Sequence, residues 1–322
     1  MIRTPLTRWF DLTTPIIGAP MAGVAGGATA RAVSEAGGLG MVGVSGRHTA
    51  EFVTSESAIP AEAELPFGVG LMTWTLTEHP ELFEATVAAQ PSLVSMSFGD
   101  PAPYVGPLHD AGIAVAAQVN TLADARRALE AGVDVLVAQG TEAGGHTGQR
   151  ALLPLLQEVL ELTDRPVVAA GGIATGRAMA AMLVAGAAGV WVGTALLSCT
   201  EGLNAAAARE RIRAATGDET VLTRAFDVAE GIAWPERWPG RALVNDFSRA
   251  WHGREAQLVT DDAARRLVVE ARRTGDPAHA PLYAGEAVGL VTTERSATDV
   301  VRELDASAEA ALGAASRLVD RG

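Results

Sequence analysis

The stretch PVVAAGGIATGRAMAAMLVAGAAGVWVGTA, residues 166–195, decides the fold. Its two ends, PVVAAGG from Pro166 and GVWVGTA from Gly189, contain short uninterrupted apolar runs, which are typical of parallel strands buried on both faces. Between them, the segment that begins at Thr175 places small and apolar residues at helical spacing. The stretch therefore predicts a strand, a helix and a second strand in series, the repeating unit of an α/β protein.

Six further apolar runs extend this unit towards the N-terminus at intervals of roughly 20 to 30 residues. They are PIIGAPM from Pro15, GLGMVGV from Gly38, PFGVGLM from Pro66, LVSMSFG from Leu93, IAVAAQV from Ile113 and DVLVAQG from Asp134. Eight strands with helical segments between them predict a (β/α)8 TIM barrel of the α/β class. The alternative, a doubly wound open sheet, usually has fewer strands and an early GxGxxG motif.

The pattern changes after the eighth strand. Residues 199–280 lack strand-like runs and are rich in Arg, Ala and Glu, so they predict a mostly helical insertion or cap near the barrel mouth. The predicted division is a barrel over 1–198, the cap over 199–280 and a C-terminal segment over 281–322, whose helix from about Ser296 to Leu318 completes the outer ring. Trp234 and Trp238 fall in the cap, where burial is favoured over a place in the roof of the active site.

Composition and charge exclude several classes of function. The formal net charge is −13, so binding to nucleic acid or to an anionic membrane is not expected. All 25 basic residues are arginine, which excludes enzymes that need a lysine amine, such as Schiff-base aldolases and pyridoxal-phosphate enzymes. The single cysteine, Cys199, predicts a cytoplasmic protein, as does the lack of a signal-peptide pattern and of a long apolar run.

The turns after strands seven and eight have the chemistry of a phosphate site. Gly171 and Gly172 end the seventh strand, and Gly193 and Thr194 end the eighth. Backbone N–H groups at such turns can approach an anion closely, and a helix N-terminus adds partial positive charge. The glycines could instead serve only tight turns, but two such turns at these two strands favour a phosphate ligand. A phosphate site alone does not distinguish a flavin from a sugar phosphate.

Three segments carry a family resemblance. They are GAPMAGVAGG (18–27), QGTEAGGHTG (139–148) and AAGGIATGRAMAAMLVAGAAGVWVGTALL (169–197), and PLYAGEAVGLV (281–291) extends them. Together they resemble the nitronate monooxygenase family, formerly called 2-nitropropane dioxygenases. The resemblance implies FMN bound non-covalently by the 1–198 barrel, across its C-terminal mouth. The cofactor contacts that it implies are Ala19, Pro20, Met21, Gln118, Gly144, Gly145, Gly171, Gly172, Gly193 and Thr194.

Three positions depart from the family's pattern, and one of them, Glu286, stands where glutamine is common, which argues against a ligand role for it. Gln118 falls where several relatives have a lysine near the flavin, so a hydrogen-bonding amide replaces a cation that could stabilise anionic reduced flavin. Gly70 stands where relatives often have Asn or Gln, which leaves strand three without that side chain.

His146 is the candidate catalytic residue. It follows Gly144 and Gly145 at the C-terminal end of strand six, where barrel active sites lie, and it closes the EAGGH motif. A histidine titrates near neutral pH, so it can donate to an anionic substrate or accept a proton α to a nitro group. No pair of histidines has metal-ligand spacing such as HxxxH, so we predict no metal site.

The resemblance implies an FMN-dependent oxidoreductase that oxidises alkyl nitronates, or nitroalkanes where those are used, with O2 to a carbonyl compound and nitrite. The expected partners are a small nitronate substrate and O2, and the expected state is a monomer or homodimer. Three alternatives stay open. They are an NAD(P)H-dependent quinone or enoyl-thioester reductase on the same barrel, a non-redox phosphate-binding barrel, and a flavin-binding protein without turnover.

Overall fold

A computed structural model describes residues 1–318 of the chain. Its eight barrel strands are β1 (Ile16–Gly18), β2 (Gly40–Gly43), β3 (Phe67–Met72), β4 (Leu93–Ser97), β5 (Ala114–Val119), β6 (Val135–Gln139), β8 (Val167–Ala170) and β9 (Gly189–Val192). A two-residue strand, β7 (Gly145–His146), lies outside the barrel. The barrel strands pair in parallel in the order β1-β9-β8-β6-β5-β4-β3-β2. The sheet closes where Leu39 N donates to Ile16 O and Gly18 N donates to Leu39 O, each at 2.9 Å. The predicted (β/α)8 barrel and its eight strands are confirmed.

Apolar side chains cover both faces of the barrel sheet, the one inside the barrel and the one under the helices. Because side chains alternate along a strand, Ile17 and Val168 belong to the cluster inside the barrel, while their neighbours Ile16 and Ala169 belong to the cluster under the helices. Leu6, on the short helix α1 (Pro5–Trp9), is fully buried and joins the inner cluster. This packing on two faces explains why the strand sequences are continuously apolar rather than alternating.

Eight helices surround the strands within residues 1–318. They are α2 (Gly27–Glu35), α3 (Ala50–Ala61), α4 (Pro80–Ala88), α5 (Ala102–Asp110), α6 (Leu122–Ala131), α7 (Leu152–Leu160), α8 (Gly176–Val184) and, as the last of the chain, α14 (Ala297–Ala315). α14 packs against α8 and α2, and a 3-10 turn follows over Ser316–Leu318, so the predicted last helix takes the eighth outer position. Residues 319–322 of the predicted C-terminal segment lie outside the described residues. None of the helices described has the length and apolarity needed to cross a bilayer.

The cap, residues 199–280, contains strands as well as helices. Its helices are α9 (Ala206–Arg213), α10 (Ala225–Glu230), α11 (Asp246–Trp251), α12 (Glu255–Leu258) and α13 (Asp262–Thr274), and its strands are β10 (Thr220–Thr223) and β11 (Gly240–Leu243). The expectation that this segment lacks strands was wrong. β11 pairs antiparallel with β10 on one side and with β7 on the other, where Gly240 lies opposite His146. Each strand is only four residues long, and Arg241 interrupts the second, so neither forms a recognisable apolar run.

Ion pairs fix the cap to the barrel. Glu230, at the end of α10, is bound by Arg47 from the loop after β2 at 2.6 Å and by Arg272 from α13, and its side chain is only 2% exposed. Arg237 pairs with Asp124 in the first turn of α6. Because a buried carboxylate is costly without a cationic partner, these pairs favour one position of the cap on the barrel.

Gly70 on β3 has no room for a side chain. A Cβ atom there would lie 2.2 Å from Cγ of Pro20. We expect Gly70→Ala to lower the free energy of unfolding by about 1–3 kcal/mol, measured by urea denaturation, because the proline ring cannot move aside without its backbone. Gly313→Ala is the control, at an exposed position of α14 with open space around it, and should be neutral or stabilising by up to about 1 kcal/mol. Equal effects at the two positions would contradict the packing of Pro20 on β3.

Candidate active site

One large cavity opens at the C-terminal ends of the barrel strands, with a volume of about 390 Å³. This volume lies in the range typical of sites for small molecules and cofactors. The eleven residues selected from the sequence all line it: Ala19, Pro20, Met21, Gln118, Gly144, Gly145, His146, Gly171, Gly172, Gly193 and Thr194. The fold therefore brings residues from five separate loops and strand ends to one space.

The neighbouring turns after β8 and β9 present polar backbone to the cavity. Gly171 and Gly172 have φ angles of 112° and 67°, which residues with a side chain rarely adopt. Among the described residues, the N–H groups of Gly172 and Ile173 donate to no protein acceptor. Thr194 accepts a hydrogen bond from the N–H of Gly285 at 3.0 Å, so its own hydroxyl proton is left for a ligand. These unpaired donors can bind an anion.

The two glycines before His146 are required for different reasons. A Cβ on Gly144 would lie 2.6 Å from the backbone of Ala284 and Gly285, so this glycine makes room for the C-terminal segment. Gly145 has a φ of 74° with open space around it, so the turn into β7 needs its backbone freedom. Packing within the protein therefore accounts for Gly144 without a close approach of a cofactor.

His146 is held by the cap. Its Nε2 lies 3.0 Å from Oδ1 of Asp227 on α10, and both side chains are more than nine-tenths buried. The indole of Trp234 stacks on the imidazole, with ring centroids 3.5 Å apart and planes 10° apart. An ionised carboxylate only accepts hydrogen bonds, so Nε2 carries the proton. Nδ1 has no hydrogen-bond partner within residues 1–318 and is the nitrogen left for a ligand.

Tyr283 shares the carboxylate of Asp227. Its hydroxyl lies 3.5 Å from Oδ1, and its ring centroid lies 5.3 Å from that of His146. Burial, followed by the negative charge of Asp227, raises the pKa of Tyr283 well above its usual range. The hydroxyl of Tyr283 therefore stays protonated and directs its single proton at Oδ1 of Asp227.

Aromatic side chains roof the cavity beside His146. Trp234 packs against Trp74 and Phe98, with ring centroids 5.3 and 4.9 Å apart, and all three line the cavity. Phe98 follows β4 with a φ of 64°, which is uncommon for a bulky residue and is found at functional sites. Burial was favoured for Trp234, and the indole is indeed 7% exposed, yet it is also part of the roof.

Amide side chains form a buried network at the ends of β5 and β6. Trp238 Nε1 donates to Asn120 Oδ1 at 3.1 Å, and Asn120 Nδ2 donates to Gln139 Oε1 at 2.9 Å. Gln118 Nε2 donates to the same oxygen of Gln139 at 2.8 Å. Gln118 and Gln139 both line the cavity, so two neutral amides stand at this edge of it.

Sequence reasoning missed three of these residues. Asp227 lies 81 positions after His146 in a segment without a motif, so no signal in the sequence pointed to it. Tyr283 and Gln139 lie within PLYAGEAVGLV and QGTEAGGHTG, and carrying over every polar residue of those segments would have found them. Glu142, also in QGTEAGGHTG, has a structural contact: its carboxylate accepts a hydrogen bond from the N–H of Leu152 at the start of α7.

The barrel, the cavity at its mouth and the buried histidine define an α/β-barrel enzyme that binds a small organic ligand. A model of the nitronate monooxygenase family matches residues 81–306. The nitronate monooxygenase of Neurospora crassa is 33% identical over 94% of this chain and 91% of its own length. The chain belongs to the nitronate monooxygenase family, and it is an oxidoreductase of the flavin-dependent kind.

Solved structures agree with this fold over nearly the whole chain. FabK from Thermotoga maritima is similar with a TM-score of 0.86 and 26% identity, covering 99% of this chain and 100% of its own. A nitroalkane oxidase from Streptomyces ansochromogenes is similar with a TM-score of 0.81 and 31% identity, covering 96% of this chain and 99% of its own. The cap is therefore included in both similarities.

The raised pKa of Tyr283 gives a testable pH dependence. The group is neutral when protonated, so the folded state loses stability relative to the unfolded state as pH rises above about 10, where an unfolded tyrosine ionises. We expect the phenolate absorbance of the folded protein, after subtraction of that of Tyr283→Phe, to show no ionisation of Tyr283 until the protein unfolds. Ionisation of this tyrosine in the folded protein at its ordinary pH would contradict the buried contact with Asp227.

Proposed function

We propose that this enzyme binds FMN and oxidises alkyl nitronates with O2 to a carbonyl compound and nitrite, and that it also accepts neutral nitroalkanes. The observation that carries the proposal is the buried pair of His146 and Asp227 in the same cavity as the glycine turns after β8 and β9. The names of the Neurospora crassa and Streptomyces ansochromogenes proteins support the same class of substrate.

The residues of the cavity fit FMN. The unpaired N–H groups of Gly172 and Ile173, with the hydroxyl of Thr194, suit a phosphate and need no lysine. Ala19, Pro20 and Met21 would line the ring, with Gln118 at its polar edge, and Gly145, Gly171 and Gly193 would leave it room. Gly144 would border the cofactor through its backbone. When bound, FMN supplies the electron transfer from substrate and the reaction with O2, which no side chain here can perform.

His146 supplies the proton chemistry. With Nε2–H bonded to Asp227, Nδ1 is the basic atom, and it can remove the proton α to a nitro group. The positive charge that His146 gains is stabilised by the carboxylate of Asp227. For a preformed nitronate, no proton has to be removed, and the protonated ring can instead bind the anionic oxygens.

The other side chains support the pair and exclude water. Tyr283 directs its hydroxyl proton at Asp227 and so holds that carboxylate beside His146. Trp234 and Phe98 cover this part of the cavity, so charges that develop there are less screened than in water. The arrangement therefore holds the acidic carbon of a small nitro compound beside the base.

Asp227→Asn tests the role of the pair. An asparagine amide can donate to Nε2, which would place the ring proton on Nδ1 and remove the base. We expect kcat/KM for a neutral nitroalkane to fall about 10²-fold or more, and kcat/KM for its preformed nitronate to change much less, in oxygen-consumption assays of the FMN-loaded enzyme.

Two variants serve as comparisons. His146→Ala should lower kcat/KM for both substrates, and more for the nitroalkane, because it removes the base and also the cation that binds the nitronate. Asp246→Asn, on an exposed residue of the cap, should change kcat/KM for neither substrate. An equal loss on nitroalkane and nitronate in Asp227→Asn would contradict proton removal by His146, and a protein that fails to bind FMN would contradict the proposal as a whole.

A reductase that uses NAD(P)H is the second candidate. Arg47 and Arg272 favour it, because both line the cavity. Each binds Glu230 through one guanidinium nitrogen and has further nitrogens that could bind the phosphates of a nicotinamide nucleotide. Anaerobic mixing separates the two functions. We expect the flavin absorbance to bleach with an alkyl nitronate, whereas rapid bleaching with NADH or NADPH would support the reductase.

A further inference from the structure

Gln139, at the end of β6, has a side-chain amide whose orientation is fixed from the cap. The indole N–H of Trp238 can only donate, so the atom of Asn120 that it contacts at 3.1 Å must be the oxygen. The amide nitrogen of Asn120 then faces Gln139, and the atom of Gln139 that accepts from it at 2.9 Å must also be an oxygen. The indole N–H of Trp238 therefore fixes the orientation of the Asn120 amide, which in turn fixes that of the Gln139 amide.

The same contacts leave two polar groups unpaired. Gln139 Oε1 also accepts from Gln118 Nε2 at 2.8 Å, which leaves Gln139 Nε2 as a donor and Gln118 Oε1 as an acceptor. Neither of these atoms has a hydrogen-bond partner within residues 1–318. Both residues line the cavity, and Gln139 is 9% exposed. Protein atoms enclose neither group, so both are open to the cavity, where a ligand can pair with them.

We propose that Trp238, acting through Asn120, orients Gln139 so that its amide N–H donates to a carbonyl of the flavin's pyrimidine ring, while Gln118 Oε1 accepts from the ring N–H. This inference rests on the proposed binding of FMN. Trp238 and Asn120 are positioning residues, because they act through Gln139.

The pyrimidine edge of a flavin matches this pair of amides. It alternates carbonyl acceptors with an N–H donor, so it requires a donor and an acceptor side by side, which Gln139 and Gln118 offer. The phosphate-binding turns lie after β8 and β9, and Gln118 and Gln139 end β5 and β6, so the two ends of one long ligand can reach both. The negative charge gained on reduction is concentrated on this ring, so a donor there stabilises the reduced form.

The donor from Gln139 would also replace the cation that position 118 lacks. The sequence contains no lysine, and Gln118 uses its own N–H group on Gln139. The donor that faces the cavity is therefore supplied by Gln139, and its direction depends on the cap.

Trp238→Phe is the first test, because it removes the indole N–H and keeps an aromatic ring beneath Arg237. The apoprotein is titrated with FMN by fluorescence, and the midpoint potential of the bound flavin is measured against a redox dye. We expect FMN to bind about three- to tenfold more weakly and the potential to fall. Trp251→Phe is the matched control, since Trp251 is also a cap tryptophan beneath an arginine, Arg254, and should change neither value.

Asn120→Asp is the second test, because it reverses the network. A carboxylate accepts from Trp238 and must also accept from position 139, so Gln139 would turn its N–H group away from the cavity and its oxygen towards it. We expect FMN to bind more weakly than in Trp238→Phe. Asn120→Leu, which leaves Gln139 free to turn without adding charge, should give an intermediate loss.

A double-mutant cycle decides between orientation and simple packing. In a Gln139→Leu background, Trp238→Phe should have no further effect on FMN affinity or on the potential, because the amide that it orients is gone. The same loss in both backgrounds would overturn the proposal while leaving FMN binding intact. A wild-type protein that binds no FMN would instead overturn both this proposal and the function on which it rests.

Discussion

The hydrogen bond between His146 and Asp227 is the contact on which the site depends. The histidine follows a barrel strand, yet its side-chain hydrogen bond and its stacking partner come from the cap, as does the strand that pairs with β7: Asp227, Trp234 and β11. A hydrogen bond to a charged group contributes about 1.5–3 kcal/mol, enough to select one ring orientation and one tautomer. The barrel supplies the cavity, and the cap fixes the ring orientation of a loop histidine.

One short loop of the cap contacts both His146 and the amide network. Trp234 covers His146, and four positions later Trp238 bonds to Asn120 on the amide side. Pro235 and Pro239 follow these two tryptophans directly and restrict the backbone beside each of them. The ion pairs of Arg237 with Asp124 and of Glu230 with two arginines hold this part of the cap on the barrel. The position of the cap therefore affects both the ring of His146 and the amides of Asn120 and Gln139.

Local patterns in the sequence were sufficient for the barrel. Continuous apolar runs marked all eight strands, and Thr121 and Gly132 end α6 as its N-cap and left-handed C-cap, because these features depend on neighbouring residues alone. The contacts of the site depend on distant residues: His146 and Asp227 are 81 positions apart, and β7 pairs with a strand that begins at Gly240. Gly144 shows the same limit, since the backbone that excludes its Cβ belongs to Ala284 and Gly285. Gly70 is a second example, because the ring of Pro20, from the loop after β1, fills the space that a side chain would need.

The tautomer of His146 tests the central claim most directly. Nitrogen NMR of the enzyme labelled at its histidine rings distinguishes a protonated ring nitrogen from an unprotonated one, and His146→Gln identifies the signals among those of six histidines. In the neutral ring we predict the proton on Nε2, towards Asp227, and an unprotonated Nδ1 whose signal moves when a nitro compound binds. A proton on Nδ1 and a bare Nε2 would contradict the account, because the base would then face the cap and not the substrate.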